Sequence, residues 1–284
     1  MNVENILAEA VEILKKNSIA SPILDARILM SFSTSLSKED IVFKASQINL
    51  SQNQKEQYLF LINKRAKKIP LSHLINNREF FGNNFYVDEN VLDPRPDSET
   101  LIEMIIEKYK NSHAFLNICE IGCGSGCLII SLLKHFKNWH GQAIDISNKA
   151  LEIAQKNANN NNVFERINFV ESNLFEKLQD NQIFDIIISN PPYIPSGDIK
   201  NLQDEVRLYE PKIALDGGLD GLDFYRKIAV ESQKYLKKNG NIFLEIGYNQ
   251  HQFVKDIFEK VNFKFIDFKK DLSGIIRVLE FEKI

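Results

Sequence analysis

The chain has 284 residues, 44% of them hydrophobic and 26% charged, the balance of a soluble globular protein with one large domain or two smaller ones. A formal net charge of −3 gives no reason to expect broad electrostatic affinity for nucleic acid, because neutralising phosphates needs a basic surface. The opening MNVENILAEAVEILKK is acidic and amphipathic rather than a signal peptide, and no apolar run approaches membrane-spanning length. The expectation is a cytoplasmic protein with no membrane association.

Residues 1–70 read as helices only. Ser21-Pro22 supplies a cap and an N1 proline ahead of ILDARILM. Ser37 and Ser51 each stand three residues before an acceptor, Asp40 and Gln54, in the manner of a capping box. Tyr58, Leu59, Ile62 and Ala66 recur at helical spacing, and Pro70 is expected to end the last helix. This part holds the positive charge: ten Lys and Arg against seven Asp and Glu up to residue 75. The run KRAKK (64–68) suits either a helix C-terminus or a docking patch.

REFFGNNFYV then predicts a strand, a Gly-Asn-Asn turn and a second strand. DPRPDSET (93–100) reads as an acidic helix start before LIEMIIEKY. Beyond residue 115 strands and helices alternate: FLNICEI, a helix through 136, HGQAID, a helix over 148–159, RINFVE, IFDIIIS, a helix near 220–237, and NIFLEIG. Such alternation with apolar strands argues an α/β fold, a Rossmann-like, mostly parallel sheet covered on both faces. NFKFIDF (262–268) and GIIRVLEFE (274–282) are close enough to close the sheet as an antiparallel hairpin. The predicted organisation is a helical domain over 1–74, a β-hairpin linker over 75–94 and a catalytic domain over 95–284.

Cys119, Cys123 and Cys127 are spaced C-x3-C-x3-C, one residue off the ligand set of radical S-adenosylmethionine enzymes. They straddle a strand, a loop and a helix start, so small buried thiols are expected and no metal.

The stretch FLNICEIGCGSGCLII runs from strand to glycine loop to helix. Gly122, Gly124 and Gly126 give G-x-G-x-G, whereas the dinucleotide fingerprint wants its third glycine one residue later. Glu120 stands two residues before the loop, and Asp145 ends the next strand, where a carboxylate can accept both hydroxyls of a ribose. With no basic residue to hold a pyrophosphate, the ligand reads as a positively charged nucleoside, S-adenosylmethionine. Cys123 and Ser125 lie inside the same loop.

After IFDIIIS comes Asn190-Pro191-Pro192-Tyr193. Two prolines cannot continue a strand, since each lacks the N–H of a ladder. Their stiffness has a use at a strand's C-terminal edge: it can hold the Asn190 side-chain oxygen and the Pro191 carbonyl as converging acceptors. Two acceptors suit a planar NH2, a poor nucleophile whose lone pair is delocalised. Tyr193 would flank the planar group.

Here the chain resembles a known family, the peptide-chain-release-factor N5-glutamine methyltransferases within the class I methyltransferases. The resemblance covers nearly the whole chain and rests on EFFGNNFYV, VLDPRPDSE, EIGCGSG, AIDIS, SNPPYI, YEPKIALDGGLDGLDFY and LEIGYNQ. It implies that Gly122–Gly126 and Asp145 hold S-adenosylmethionine and that Asn190-Pro191-Pro192-Tyr193 hold the substrate glutamine. Asn173-Leu174-Phe175 stands where the family has Asp-x-Phe beside the adenine, so Asn173 and Leu174 join the expected cofactor site. The implied activity is methylation of the glutamine amide in the Gly-Gly-Gln motif of class I release factors, by a monomer whose helical part contacts the release factor. The rivals are a DNA adenine-N6 methyltransferase, which shares the Asn-Pro-Pro-aromatic motif, and a non-catalytic cofactor-binding adaptor. Specific DNA binding is not expected.

Overall fold

The computed structural model describes residues 2–284. The chain divides into two compact units. One holds the segment up to Asn77 together with Gln203–Tyr209, and the other Arg78–Leu202 with Glu210–Ile284. The hairpin assigned to a linker thus belongs to the second unit, and a short internal segment returns to the first.

In the first unit, α1 (Val3–Lys16), α2 (Pro22–Thr34), α3 (Lys38–Phe43) and α4 (Gln52–Ala66) bury Ile6, Leu14, Leu29, Met30, Tyr58 and Ile62 together. Ser51 completes the capping box: its hydroxyl accepts from Gln54 N, and Gln54 Oε1 accepts from Ser51 N at 3.0 Å. Pro70 does not end a helix but opens another, α5 (Leu71–Ile75). A proline's fixed φ and missing N–H suit a helix start as well as a stop. Arg65, buried, joins Asp25 at 2.7 Å and Glu205 at 2.8 Å, so the returning segment is held by a paired charge.

The second unit opens with β1 (Arg78–Phe80) and β2 (Asn83–Phe85), an antiparallel pair. The turn is Phe81-Gly82, one residue earlier than predicted, and both residues have positive φ, as a two-residue hairpin turn demands. Phe81 is held in this costly conformation by Glu99, whose Oε1 accepts its N–H at 2.8 Å. Asn83 and Asn84 are strand residues instead.

Then follow α6 (Glu99–Tyr109), β3 (Asn117–Ile121), α7 (Cys127–His135), β4 (His140–Asp145), α8 (Asn148–Asn160), β5 (Ile167–Glu171) and β6 (Phe184–Ser189). After the returning helix α9 (Asp204–Tyr209) come α10 (Asp223–Tyr235), β7 (Leu236–Glu245), α11 (His251–Glu259), β8 (Phe263–Lys270) and β9 (Ile276–Lys283). Helices α9 and α11 were not foreseen, and β7 starts earlier than NIFLEIG. The sheet order is β5-β4-β3-β6-β7-β9-β8, parallel through β7, with β9 antiparallel to both β7 and β8. Successive strand residues face opposite layers. Ile118, Ile186, Ile188 and Phe243 pack with α6, α7 and α8, whereas Cys119, Ile187, Ile242 and Leu244 pack with α10 and α11. Burial on both faces explains why the strands read as unbroken apolar runs.

The order places β4 and β6 on opposite sides of β3, so the connections leave β3 and β6 in divergent directions. A crevice opens at their carboxyl ends, where open α/β sheets bind ligands. All three cysteines are buried and unpaired, with their thiols pushed up by burial. Among the described residues no helix is long and apolar enough to cross a membrane.

Candidate active site

The loop after β3 is tethered to the end of β4. Gly122 N and Cys123 N both donate to the Ile144 carbonyl, at 2.8 and 2.9 Å. Asp145 then takes Gly124 N on Oδ2 at 2.8 Å and Ser147 N on Oδ1 at 2.9 Å. Burial raises the Asp145 carboxyl above its ordinary value, and these N–H donors pull it back. Gly122 and Gly124 have φ of +69° and +52°, and a Cβ on either would meet nothing within 4 Å. Their backbone therefore faces open space that a ligand can enter.

The space is a cavity at the crevice lined by Gly122, Gly124, Asp145, Asn173, Leu174, Asn190, Pro191 and Pro192, all expected from the sequence. Glu120, Cys123, Ser125, Gly126 and Tyr193, also expected, do not line it. Glu120 is buried behind the loop, where its Oε2 accepts from Ile129 N in the first turn of α7 at 3.1 Å. It serves as a cap for that helix, and burial pushes its carboxyl well up. Cys123 and Ser125 are buried, and Gly126 is the left-handed cap of α7, with Ile130 and Ala154 packed close against it. Tyr193 packs into the core beside Gly247, with its phenol pushed up by burial.

Asn173 Nδ2 donates to Glu176 at 2.6 Å, which leaves Oδ1 as the acceptor not committed to the protein. Leu174 is held at φ +49°, a left-handed conformation rare for a branched side chain, and its strain is stored at the cavity wall. Leu92, Ile213 and Phe224 also line the cavity and were given no role in advance. The signal existed: each falls inside VLDPRPDSE or YEPKIALDGGLDGLDFY, stretches that local reading could not tie to chemistry. Arg95 and Glu210 show how those stretches meet, since Arg95 Nη2 reaches both Glu210 oxygens at 2.6 and 2.7 Å. Among the described residues, Asp145 is the one charged residue in the lining. A carboxylate without a cation beside it disfavours phosphate and suits a ligand that carries positive charge.

Asn190 sits at the tip of β6, next to Ser189, whose hydroxyl donates to the Ile121 carbonyl at 2.8 Å. Asn190 Nδ2 donates to Ser98 Oγ at 3.2 Å. The residues after it are braced from two directions. Ile194 exchanges backbone bonds with Leu215 and Gly217, at 3.1 and 2.8 Å. Gln250 Nε2 donates to the carbonyls of Tyr193 (3.0 Å) and Gly221 (3.3 Å), and its Oε1 accepts from Gly247 N at 2.9 Å. One buried amide thus ties NPPY to both GGLDGL and LEIGYNQ. Gly221 has φ +75°, and a Cβ there would stand 2.4 Å from the Tyr193 carbonyl oxygen. Gly221→Ala is expected to lower stability by about 1–3 kcal/mol through backbone strain. A denaturant titration that matches wild type would show that NPPY is not held from this side.

Strand order, glycine loop and acidic strand tip together define a class I methyltransferase fold. A methyltransferase small domain model matches residues 94–205, and a PrmC N-terminal domain model matches residues 5–75. A methyltransferase structure from Pyrococcus furiosus superposes with a TM-score of 0.52, at 20% identity, covering 80% of this chain and 98% of that one. Proteins named release factor glutamine methyltransferase are much nearer in sequence. That of Clostridium acetobutylicum is 36% identical over 98% of each chain, and that of Agrobacterium fabrum is 37% identical over 95% of this chain and 93% of its own. The chain belongs to the release factor glutamine methyltransferase family.

Proposed function

We propose that this protein transfers a methyl group from S-adenosylmethionine to the side-chain amide nitrogen of the glutamine in the Gly-Gly-Gln motif of class I peptide chain release factors, in support of translation termination. The observation that carries the reading is Asn190, whose amide nitrogen is held by Ser98 at the edge of a cavity lined, among the described residues, by the Asp145 carboxylate. Relatives aligned over 98% and 95% of this chain are named release factor glutamine methyltransferase.

When bound, S-adenosylmethionine supplies an electrophilic methyl on a positively charged sulfur. Gly122 and Gly124 would offer their backbone to it, Asp145 would accept from its ribose hydroxyls, Asn173 Oδ1 would accept from its adenine amine, and Leu174 would form the wall beside the base. Asn190 Oδ1 and the Pro191 carbonyl accept the two N–H groups of the substrate amide. Accepting both hydrogens holds the nitrogen in place and favours its pyramidalisation as it attacks. The proton released after alkylation leaves to water, so no strong base is required.

The first unit is read as the part that contacts the release factor. Its local charge and the exposed Phe43, Phe60 and Leu24 support that assignment. A monomer working in the cytoplasm without specific DNA binding completes the reading, and the net charge of −3 supports the last of these. Mass spectrometry of purified release factors after incubation with enzyme and S-adenosylmethionine tests it. A gain of one methyl on the Gly-Gly-Gln glutamine is the expected result; an unmodified glutamine, or methylated adenine in a DNA control, would overturn it.

A further inference from the structure

We propose that Glu245 is a positioning residue that turns the Asn190 side chain so that its oxygen, not its nitrogen, faces the substrate amide. The inference rests on Asn190 being the acceptor, as read above.

The geometry begins with the sheet. Strands β6 and β7 run parallel in a register that pairs Ser189 with Leu244, so Asn190 and Glu245 are the next neighbours along the two strand ends. Glu245 is 1% exposed, and its Oε2 is a buried acceptor with no hydrogen-bond partner among the described residues. A buried carboxylate that lacks a full set of partners is costly, and a fold retains one where it does something. The Asn190 amide and the Ser98 hydroxyl lie against it and help to hold its charge. Asn190 Nδ2 already donates to Ser98 on this side. The wall behind Asn190 is thus made of an acceptor-only carboxylate and a hydroxyl that accepts from Asn190.

An asparagine side chain has two orientations of nearly equal shape, one presenting oxygen and the other nitrogen to the cavity. An ionised carboxylate behind it can only accept, so it favours the orientation with nitrogen inward and oxygen outward. A protonated carboxyl can donate to the Asn190 oxygen and removes that preference. Burial raises Glu245 to about 7, against the pull of Ser98, Arg277 and Asn190, with Asp97 pushing the same way as burial. The other groups around it are Tyr193, Cys127 and Tyr225, whose hydroxyl donates to the Glu245 backbone carbonyl at 2.9 Å. Because the raised value belongs to an acid, the ionised and orienting form is present above about pH 7 and is lost below it.

The test combines Glu245→Gln, a near-isosteric neutral residue that both donates and accepts, with a pH profile on intact release factor. Wild-type turnover should rise through about pH 7. E245Q should lose that rise and turn over roughly five- to tenfold more slowly at pH 8, the worth of one oriented hydrogen bond. Release factor KM, cofactor affinity and the unfolding midpoint should stay near wild type, which a merely structural role would not leave untouched. In the N190D background, where two carboxylates would face each other, E245Q should restore activity roughly tenfold by supplying a donor. Wild-type rate and profile in E245Q, or additive losses in the double variant, would overturn the inference. Should E245Q fail to fold, a flat wild-type profile between pH 6 and 8 overturns it equally. Full activity of N190A would mean that the reading of Asn190 had failed; an inactive N190A beside an unaltered E245Q would reject Glu245 alone.

Discussion

Asn190→Ala should reduce methylation of intact release factor by roughly 10²- to 10³-fold while leaving cofactor affinity nearly unchanged. The variant removes a positioned acceptor and strands a substrate N–H in a desolvated cavity, a loss of about 1–3 kcal/mol by itself. Misalignment of the amide nitrogen accounts for the remainder, because the attacking atom must lie in line with the methyl carbon. The glycine loop and Asp145 do not depend on Asn190: their mutual bonds run through Gly124, Ser147 and Ile144. Single-turnover rates combined with calorimetric cofactor binding separate the two effects. A wild-type rate in this variant would reduce NPPY to a rigid exit from β6. Sequence alone expects Asn190→Asp to keep more activity than Ala, because an acceptor of similar shape remains. Glu245 at the neighbouring strand end alters that expectation, since a second buried carboxylate would face it. The Asp variant should therefore fall closer to Ala.

Asp145→Ala should weaken S-adenosylmethionine binding by about 2–4 kcal/mol, since two charge-assisted hydrogen bonds to the ribose are lost. The structure adds a reason for the upper part of that range. The same carboxylate accepts Gly124 N and Ser147 N, so its removal also frees the loop that borders the cavity. Asp145→Asn is the sharper variant: it keeps the shape but places a donor toward one of those N–H groups. It should bind the cofactor little better than Ala. Calorimetry giving wild-type affinity for either variant would remove Asp145 from the cofactor site.

Much of the second unit was readable because its strands are local objects. FLNICEI, HGQAID and IFDIIIS each end in a loop whose residues declare themselves, and a buried parallel strand needs only a short apolar run bounded by turns. The pieces that escaped were those whose role comes from a distant partner. Glu120 looked like a ligand carboxylate from its place before the glycine loop, yet it caps α7 through Ile129 N. Its neighbour in space, not its neighbour in sequence, decides which way the carboxylate is used. Pro70 gave the same lesson on a smaller scale, since a proline fits the start of a helix as well as its stop.

The two-part organisation in outline, the alternating sheet, the glycine loop followed by Asp145 at a strand tip, and the rigid Asn-Pro-Pro-Tyr exit from β6 are all legible in the sequence. These follow from periodicity and from short motifs whose backbone demands are met within a few residues. Folding is what brings Arg95 to Glu210, Gln250 to the Tyr193 and Gly221 carbonyls, and Glu245 to the strand end beside Asn190. Each of those pairs joins residues between 29 and 115 positions apart, and across β6 and β7 it is the parallel register that makes neighbours of residues 190 and 245. Such pairings depend on strand order and loop packing, to which no local pattern of residues is sensitive, and so they exist only once the sheet has formed.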